Sequence, residues 1–141
     1  MHFNISTCYG LQIVLYLAQN RKIVSSTELS ECLNISQRYV IQIAKKLRDG
    51  QIIDSYAGMS GGYKLRLKAS AISVYDIAVM FEGDIVIPKC INQCDCEALQ
   101  IVLYRAKEHL DDYFKSLSFD KLAEMSISGR ATEILMIVES M

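Results

Sequence analysis

The chain has 141 residues, of which 51% are hydrophobic and 22% charged, and its formal net charge is −1. Length and composition are ordinary for a globular protein of one domain plus an extension. No apolar run approaches the ~20 residues of a membrane span, and the N-terminus lacks a secretory pattern, so we expect a cytoplasmic protein with no membrane partner.

Two helices are predicted at the start of the chain. The first runs from Ile5 to Asn20, with Ser6 or Thr7 as its N-cap. Its apolar face consists of Leu11, Val14, Leu15 and Ala18. The second helix is short and opens with a capping box formed by Ser25 and Glu28. It is expected to bury Leu29, Cys32 and Leu33, which assigns Cys32 to the core.

A third helix and a hairpin follow. The helix is capped by Ser36 and ends at Gly50, and its apolar residues recur at helical spacing: Val40, Ile43, Ala44 and Leu47. Two short runs, Ile52–Tyr56 and Tyr63–Leu67, are separated by six residues that include three glycines, which predicts a β-hairpin. We therefore predict a mainly α fold with a small β-hairpin wing, the winged helix-turn-helix.

The second half of the chain is predicted to be helical as well. Ser73 and Asp76 open a helix that runs through Phe81 and stops at Gly83. From Glu97, an apolar stripe continues for about five turns. Its members are Leu99, Val102, Leu103, Ala106, Leu110, Tyr113, Phe114 and Leu117. A short helical turn over 118–125 is expected next.

The wide stripe on this long helix needs a partner surface. We expect the same helix of a second chain to supply it, which gives a symmetric homodimer. Packing against the helix's own domain is the alternative. The predicted organisation is a winged helix-turn-helix domain over 1–83, a cysteine-containing sensor loop over 84–96, and a dimerisation helix with a C-terminal extension over 97–141.

The segment from Asn34 to Lys68 is basic within a chain that is otherwise acidic. It carries seven lysines and arginines against two aspartates, a net charge of +5, and the rest of the chain carries −6. A basic patch on a mildly acidic protein is typical of a surface that binds the phosphates of nucleic acid. The alternative is that these bases only solvate an exposed helix. Their position on a helix-turn-helix and its wing favours DNA.

The start of the third helix in such a fold enters the major groove. The candidates there are Ser36, Gln37, Arg38, Tyr39 and Gln42, of which Arg38 can bond guanine and Gln42 adenine. Further along, Lys45, Lys46 and Arg48 are expected to contact phosphates. On the wing, Ser60, Gly61, Gly62 and Lys64 are expected to approach the DNA backbone closely, since two of them lack a side chain. Tyr63 is interpreted as a core anchor.

Three of the five cysteines, Cys90, Cys94 and Cys96, fall within seven residues. Three thiols so close together in a cytoplasmic loop exceed what core packing requires. Thiolates are ligands of iron–sulfur clusters and of structural zinc, although C-x3-C-x-C is not the paired C-x2-C of zinc ribbons. A reversible disulfide sensor is an alternative, but the neighbouring acids Asp95 and Glu97 disfavour a reactive thiolate.

Several stretches of the chain resemble one family of bacterial regulators. They are CYGLQIVLYLA from Cys8, NISQRYVIQIAKKLRDGQII from Asn34, SYAGMSGGYKL from Ser55 and ISVYDIAVMFEGD from Ile72. Together with the long helix and SFDKLAEM from Ser118, they are similar to the winged-helix transcriptional regulator family of IscR, NsrR and CymR. The resemblance implies a homodimeric regulator, commonly a repressor, that binds an operator in double-stranded DNA.

The resemblance also implies a sensor. Many members detect redox state, nitric oxide or iron–sulfur status, and a 2Fe-2S or 4Fe-4S cluster here would be held by Cys90, Cys94 and Cys96. The fourth ligand in some members comes from the first helix of the partner subunit, at the position of Cys8. A histidine ligand of another member falls at Leu99, so that ligand is absent. The alternative is a cluster-free regulator that responds to thiol oxidation, a partner protein or a small molecule.

Two departures from the family concern DNA recognition. An arginine that family members often place in the wing falls at Ala57, and an acid that some use on the recognition helix falls at Ile41. We therefore expect this chain to bind a different operator.

Two other classes of function are disfavoured. The sequence contains no nucleophile–base pair, Gly-rich phosphate loop or histidine-rich metal motif, so we predict that the chain is not an enzyme. A protein-binding winged helix that has lost DNA binding does not account for the basic segment.

Overall fold

The computed structural model describes residues 3–86, 97–127 and 139–140. Within these ranges the chain is mainly α-helical with one two-stranded antiparallel sheet, which confirms the predicted winged helix-turn-helix followed by a long helix. The elements are α1 (Ile5–Gln19), α2 (Ser26–Leu33), α3 (Gln37–Asp49), β1 (Ile53–Tyr56), β2 (Gly62–Leu65), α4 (Val74–Glu82), α5 (Glu97–Lys115) and α6 (Phe119–Ile127). None of the described helices is long and apolar enough to cross a bilayer.

Three predicted serine caps are confirmed: Ser25, Ser36 and Ser73. In each case the side-chain oxygen accepts a hydrogen bond from the backbone N–H three residues further on, which satisfies a donor that the helix itself cannot. Ser73 and Asp76 form the complete reciprocal capping box. The starts of α2, α3 and α4 are thus determined by local sequence.

The predicted cap of α1 is wrong. The helix begins after Asn4, whose side chain does not cap it, and Thr7 is fully buried inside the first turn. The donors at this end are satisfied from α4: the Glu82 carboxylate accepts hydrogen bonds from the Asn4 backbone N–H (2.6 Å) and the Thr7 hydroxyl. A negative charge at a helix N-terminus also interacts favourably with the helix dipole. The cap lies 75 residues away in sequence, beyond the reach of a local pattern.

The core lies between α1, α3, the base of the wing and α4. Its fully buried large side chains are Phe119, Ile13, Leu29, Ile43, Leu47, Ile53, Ile72, Ile77, Val14, Val24 and Val40. Of the predicted α1 face, Val14 is buried, whereas the other three residues are half-buried at the edge of this core. Gly10 allows α1 to pack closely on α4, because a Cβ at this position would lie 2.6 Å from the ring of Phe81 on α4.

The assignment of Cys32 to the core is wrong: its side chain is exposed. In α2 only Leu29 is buried. Cys32 lies three residues beyond Leu29, about 60° around the helix from it. The stripe that this eight-residue helix buries is too narrow to cover both positions.

Glu28, predicted to complete the α2 capping box, joins α2 to α1 instead. Its carboxylate accepts a hydrogen bond of 2.7 Å from the Tyr16 hydroxyl and lies 3.5 Å from the Lys22 ammonium. The hydrogen bond to Glu28, together with burial, raises the pKa of Tyr16 to about 12. The Tyr16 phenol therefore remains a neutral donor throughout the physiological range and holds the two helices together.

The wing is attached to the helices along β2. Tyr56 at the end of β1 lies opposite Gly62, and Tyr63 exchanges backbone hydrogen bonds of 2.8 and 2.9 Å with Val24, in the connector between α1 and α2. Tyr63 packs against the core, as predicted. Each strand is one residue shorter than predicted, since β1 begins at Ile53 and β2 runs from Gly62 to Leu65.

The helix that follows α5 returns to the core. The predicted short turn is a nine-residue helix, α6, and its first residue, Phe119, is 1% exposed. The Phe119 N–H donates to the Ile72 carbonyl (3.0 Å) and the Val74 N–H donates to the Leu117 carbonyl (2.9 Å). The corner between α5 and α6 is therefore bonded to the segment that leads into α4.

Candidate nucleic-acid interface

Helix α3 has two unlike sides. One is buried and consists of Val40, Ile43, Ala44 and Leu47. On the other, helical spacing places Arg38, Ile41, Gln42 and Lys45 next to one another, and all four are exposed. We call these four residues the exposed face of α3. Within the described ranges neither Arg38 nor Lys45 forms an ion pair.

Two predicted contact residues at the start of α3 have partners within the chain. The Gln37 amide donates to the hydroxyls of Ser26 (2.9 Å) and Thr27 (3.3 Å), which links the starts of α2 and α3. Tyr39 is half-buried, with its ring edge-on to that of Tyr9 at 5.7 Å between centroids. The Gln37 hydrogen bonds thus join α3 to α2, and the Tyr39 ring contact joins α3 to α1. Contacts of the same residues with DNA remain predictions.

Two basic residues near the end of α3, Lys46 and Arg48, have partners within the chain. The Lys46 ammonium lies 5.4 Å from the ring centroid of Phe81 on α4, within cation–π range. Arg48 lies 3.8 Å from the neighbouring Asp49, and both are exposed. Burial raises the pKa of Tyr63 on the wing, and the positive charge of Arg48 acts against that rise.

The four predicted wing residues divide into two pairs. Ser60 and Lys64 are exposed, whereas Gly61 and Gly62 are half-buried. A Cβ on Gly62 would lie 2.2 Å from the Val24 carbonyl oxygen, and one on Gly61 would lie 2.3 Å from that of Tyr56. The absence of these two side chains thus has a reason within the chain itself, which differs from the close approach to DNA that the sequence suggested.

Two exposed apolar side chains lie on these elements, of which the sequence pointed to Ile41 only as a departure from the family and did not point to Met59. Ile41, on the exposed face of α3, is 47% exposed, and Met59, at the wing tip, is completely exposed. A signal for Ile41 was present, since it is an apolar residue that falls outside the regular buried stripe of α3. For Met59, the only sequence signal of exposure was its position between glycines in the wing tip.

The apolar stripe of α5 is largely uncovered. None of the residues in α5 is buried, and Leu99, Val102, Leu103 and Tyr113 are 42–62% exposed. Towards the end of the helix, Leu110, Phe114 and Leu117 are half-buried, and the Phe114 ring lies 5.9 Å from that of Phe3. Leu110, Phe114 and Leu117 thus pack on the chain itself, whereas the other four residues are exposed.

Lys107 ties the end of the α4 segment to α5. Its ammonium lies 2.7 Å from a carboxylate oxygen of Asp111 and 3.1 Å from one of Asp84. The hydrogen bonds that Lys107 donates to Asp111 and Asp84 raise the pKa of Lys107 above its usual range. This bridge fixes the point at which the chain enters the predicted sensor loop.

The predicted metal ligands Cys90, Cys94 and Cys96 lie outside the described residues, as does most of the C-terminal extension. Cys8, the proposed fourth ligand, is described: it is a half-buried free thiol on the second turn of α1. No group of three or more metal-ligating side chains occurs in the ranges 3–86, 97–127 and 139–140.

Comparison with known proteins matches this architecture to one family. The sequence model of the Rrf2 family, described as an iron-dependent transcriptional regulator, matches residues 3–125. A putative HTH-type transcriptional regulator of Haemophilus influenzae is 34% identical over 91 residues, which are 63% of this chain and 61% of that protein. IscR of Vibrio cholerae is 27% identical over 129 residues, 88% of this chain and 72% of IscR. The structure of CymR, the global cysteine regulator of B. subtilis, is 25% identical with a TM-score of 0.79, covering 88% of this chain and 97% of CymR.

Proposed function

The chain belongs to the Rrf2 family of transcriptional regulators, and from this premise we propose that it is a homodimeric repressor that binds its operator through α3 and the wing. Its relatives are DNA-binding regulators rather than enzymes. The observation that carries the proposal is the exposed face of α3. Two cations without ion-pair partners in the described part of the chain lie on it, opposite a fully buried apolar side.

The proposed contacts divide by chemistry. Arg38, in the first turn of α3, bonds guanine through two parallel hydrogen bonds, and Gln42, one turn on, bonds adenine. Lys45 and Arg48 on α3 and Lys64 on the wing contact phosphates, which supply affinity without sequence preference. Gln37 holds α3 against α2 through Ser26 and Thr27, so that the first turn is presented at a fixed angle.

Substitution of Arg38 tests the base contact. Arg38→Ala is expected to weaken binding to an operator selected from a randomised duplex library by about 1–3 kcal/mol while leaving binding to random duplex DNA nearly unchanged. The measurement is a fluorescence-anisotropy titration of both duplexes at one salt concentration. Arg105→Ala removes the same charge from α5 and serves as the matched control. Equal losses on both duplexes for Arg38→Ala would show that Arg38 contacts only phosphate.

The homodimer is proposed to form through α5. Its open apolar stripe, with Val102 61% and Leu99 58% exposed, is a contiguous surface of the kind that marks protein interfaces. A second copy of the same helix is its natural complement, since a two-fold axis places the same patch on both sides. Dimerisation also sets two α3 helices at a fixed spacing, as two operator half-sites require.

Val102→Glu tests the dimer. Val102 is largely exposed in the single chain, so the new carboxylate leaves the core of each protomer intact and acts only across the interface. We expect sedimentation equilibrium to show a dimer for the wild type and a monomer for Val102→Glu. Ile23→Glu, at an exposed isoleucine in the connector between α1 and α2, should remain dimeric. A monomeric wild type at micromolar concentration would refute the proposal.

The signal is proposed to act through the cysteines. The donor set of Cys90, Cys94 and Cys96 with Cys8 of the partner subunit has the four-thiolate chemistry that is common in iron–sulfur clusters, and Cys8 is a partly accessible free thiol. A cluster bound there would supply a group that reacts with oxidants or nitric oxide. The family's description as iron-dependent supports this choice. The similarity to CymR, a cysteine regulator, supports the second candidate, a regulator that senses thiol oxidation, a partner protein or a small molecule.

Anaerobic purification separates the two candidates. A brown sample that contains iron and sulfide, and that loses both in Cys94→Ser, is the result expected for a cluster. Cys32→Ser is the matched control, because Cys32 is an exposed thiol outside the proposed donor set. A colourless wild-type protein without iron or sulfide would exclude the cluster and leave the second candidate.

A further inference from the structure

Ile41 is a large apolar side chain in the middle of the exposed face of α3. It is 47% exposed, whereas the four residues on the buried side of the same helix are at most 2% exposed. Hydration of an exposed isoleucine is unfavourable, and single exposed apolar residues are common at protein surfaces. The exposure of Ile41 therefore indicates a binding role only when the residues around it are considered as well.

Those neighbours are polar or charged. Arg38 precedes Ile41 by one turn, Lys45 follows it by one turn, and Gln42 adjoins it, and all three are exposed. An apolar protein partner would desolvate both cations, which is costly. The major groove of DNA accommodates the whole set, because it presents acceptors for the cations and the amide and one apolar group, the C5-methyl of thymine.

We propose that Ile41 contacts the C5-methyl group of a thymine and is a specificity-determining residue of α3. The inference rests on the proposed binding of α3 in the major groove and deepens it. Each operator half-site then contains an A·T pair whose thymine lies beside the bases contacted by Arg38 and Gln42. Cytosine at that position lacks the methyl group and is disfavoured.

The test removes the thymine methyl group from the DNA and, separately, the Ile41 side chain from the protein. A duplex operator is first obtained by selection from a randomised library with the wild-type protein. Each thymine of the operator is then replaced in turn by deoxyuridine, which lacks only the C5-methyl. At one thymine per half-site we expect about a fourfold loss of wild-type affinity, because burial of one methyl-sized group is worth about 0.8 kcal/mol and 1.4 kcal/mol is tenfold.

Ile41→Ala is expected to abolish this discrimination, binding the thymine and deoxyuridine operators equally. Since Ile41 lies outside the core, the variant should unfold at the same urea concentration as the wild type. Ile23→Ala, a truncation of an exposed isoleucine in the connector, should keep the full fourfold effect.

The proposal is overturned if the same deoxyuridine effect persists in Ile41→Ala, or if no thymine shows an effect in the wild type. Both results leave the proposed function standing, because an operator has then been selected. If the wild-type protein enriches no sequence from the library, the proposed function itself fails, and this inference fails with it.

Discussion

Gly62 offers a sharp test of how the wing is held. Its φ is +148°, a region that residues with a side chain rarely adopt, and a Cβ there would lie 2.2 Å from the Val24 carbonyl oxygen. In Gly62→Ala the wing must move away from the connector between α1 and α2. That movement breaks the two hydrogen bonds between Val24 and Tyr63.

The expected loss of unfolding free energy in Gly62→Ala is the sum of a backbone cost and a hydrogen-bond cost. A residue with a side chain in an unfavourable φ region costs about 1–3 kcal/mol. Loss of two backbone hydrogen bonds adds about 1–3 kcal/mol. Gly58→Ala is the matched control, because Gly58 has a φ of +98° but no atom within 4 Å of its Cβ position. It should therefore show the backbone cost alone.

The assay is urea unfolding of the free protein, followed by circular dichroism. We expect the free energy of unfolding to fall by about 2–6 kcal/mol in Gly62→Ala and by about 1–3 kcal/mol in Gly58→Ala. Equal losses in the two variants would refute the argument. The closeness of Gly62 to Val24 would then be unimportant, and an approach to DNA would again be the better reason for a glycine there.

Two further predictions concern the corner between α5 and α6. Phe119→Ala removes a ring that is 1% exposed and should lower the free energy of unfolding by about 3–5 kcal/mol, whereas Phe3→Ala, at 41% exposure, should cost far less in the same urea assay. The Asp120 carboxylate accepts a hydrogen bond from Ser118, which lowers the pKa of Asp120 below 3.8. Its stabilising effect is therefore present at neutral pH and lost as the pH falls through the folded-state pKa, so the instability of Asp120→Asn in urea at pH 7 should shrink at pH 3. A deficit that grows on acidification would contradict this.

Much of the fold was predictable because its signals are local. A serine that caps the N–H three residues on, as at Ser36 and Ser73, needs only one turn of chain to act. The apolar spacing of α3 likewise reported its buried side correctly. The glycine-rich stretch between the strands indicated the wing, although the reason for Gly62 emerged only from its contact with Val24.

What the sequence did not predict depends on distant contacts. The start of α1 is held by Glu82, which no pattern near Ile5 reveals. Cys32 was assigned to the core from helical spacing. The width of the stripe that α2 buries, however, depends on the elements that pack against α2. For the candidate site, the exposed basic residues were predictable from charge. The chain-internal partners of Gln37 and Tyr39 were not, because they depend on the packing of three helices.

The most direct test of the account is the salt dependence of operator binding. If Lys45, Arg48 and Lys64 of both protomers contact phosphates, six contacts give a slope of about −5 for the logarithm of the association constant against that of salt concentration. Affinity should then fall about a thousandfold between about 50 and 200 mM salt. An affinity that is unchanged over this range would contradict the claim that this basic surface binds duplex DNA.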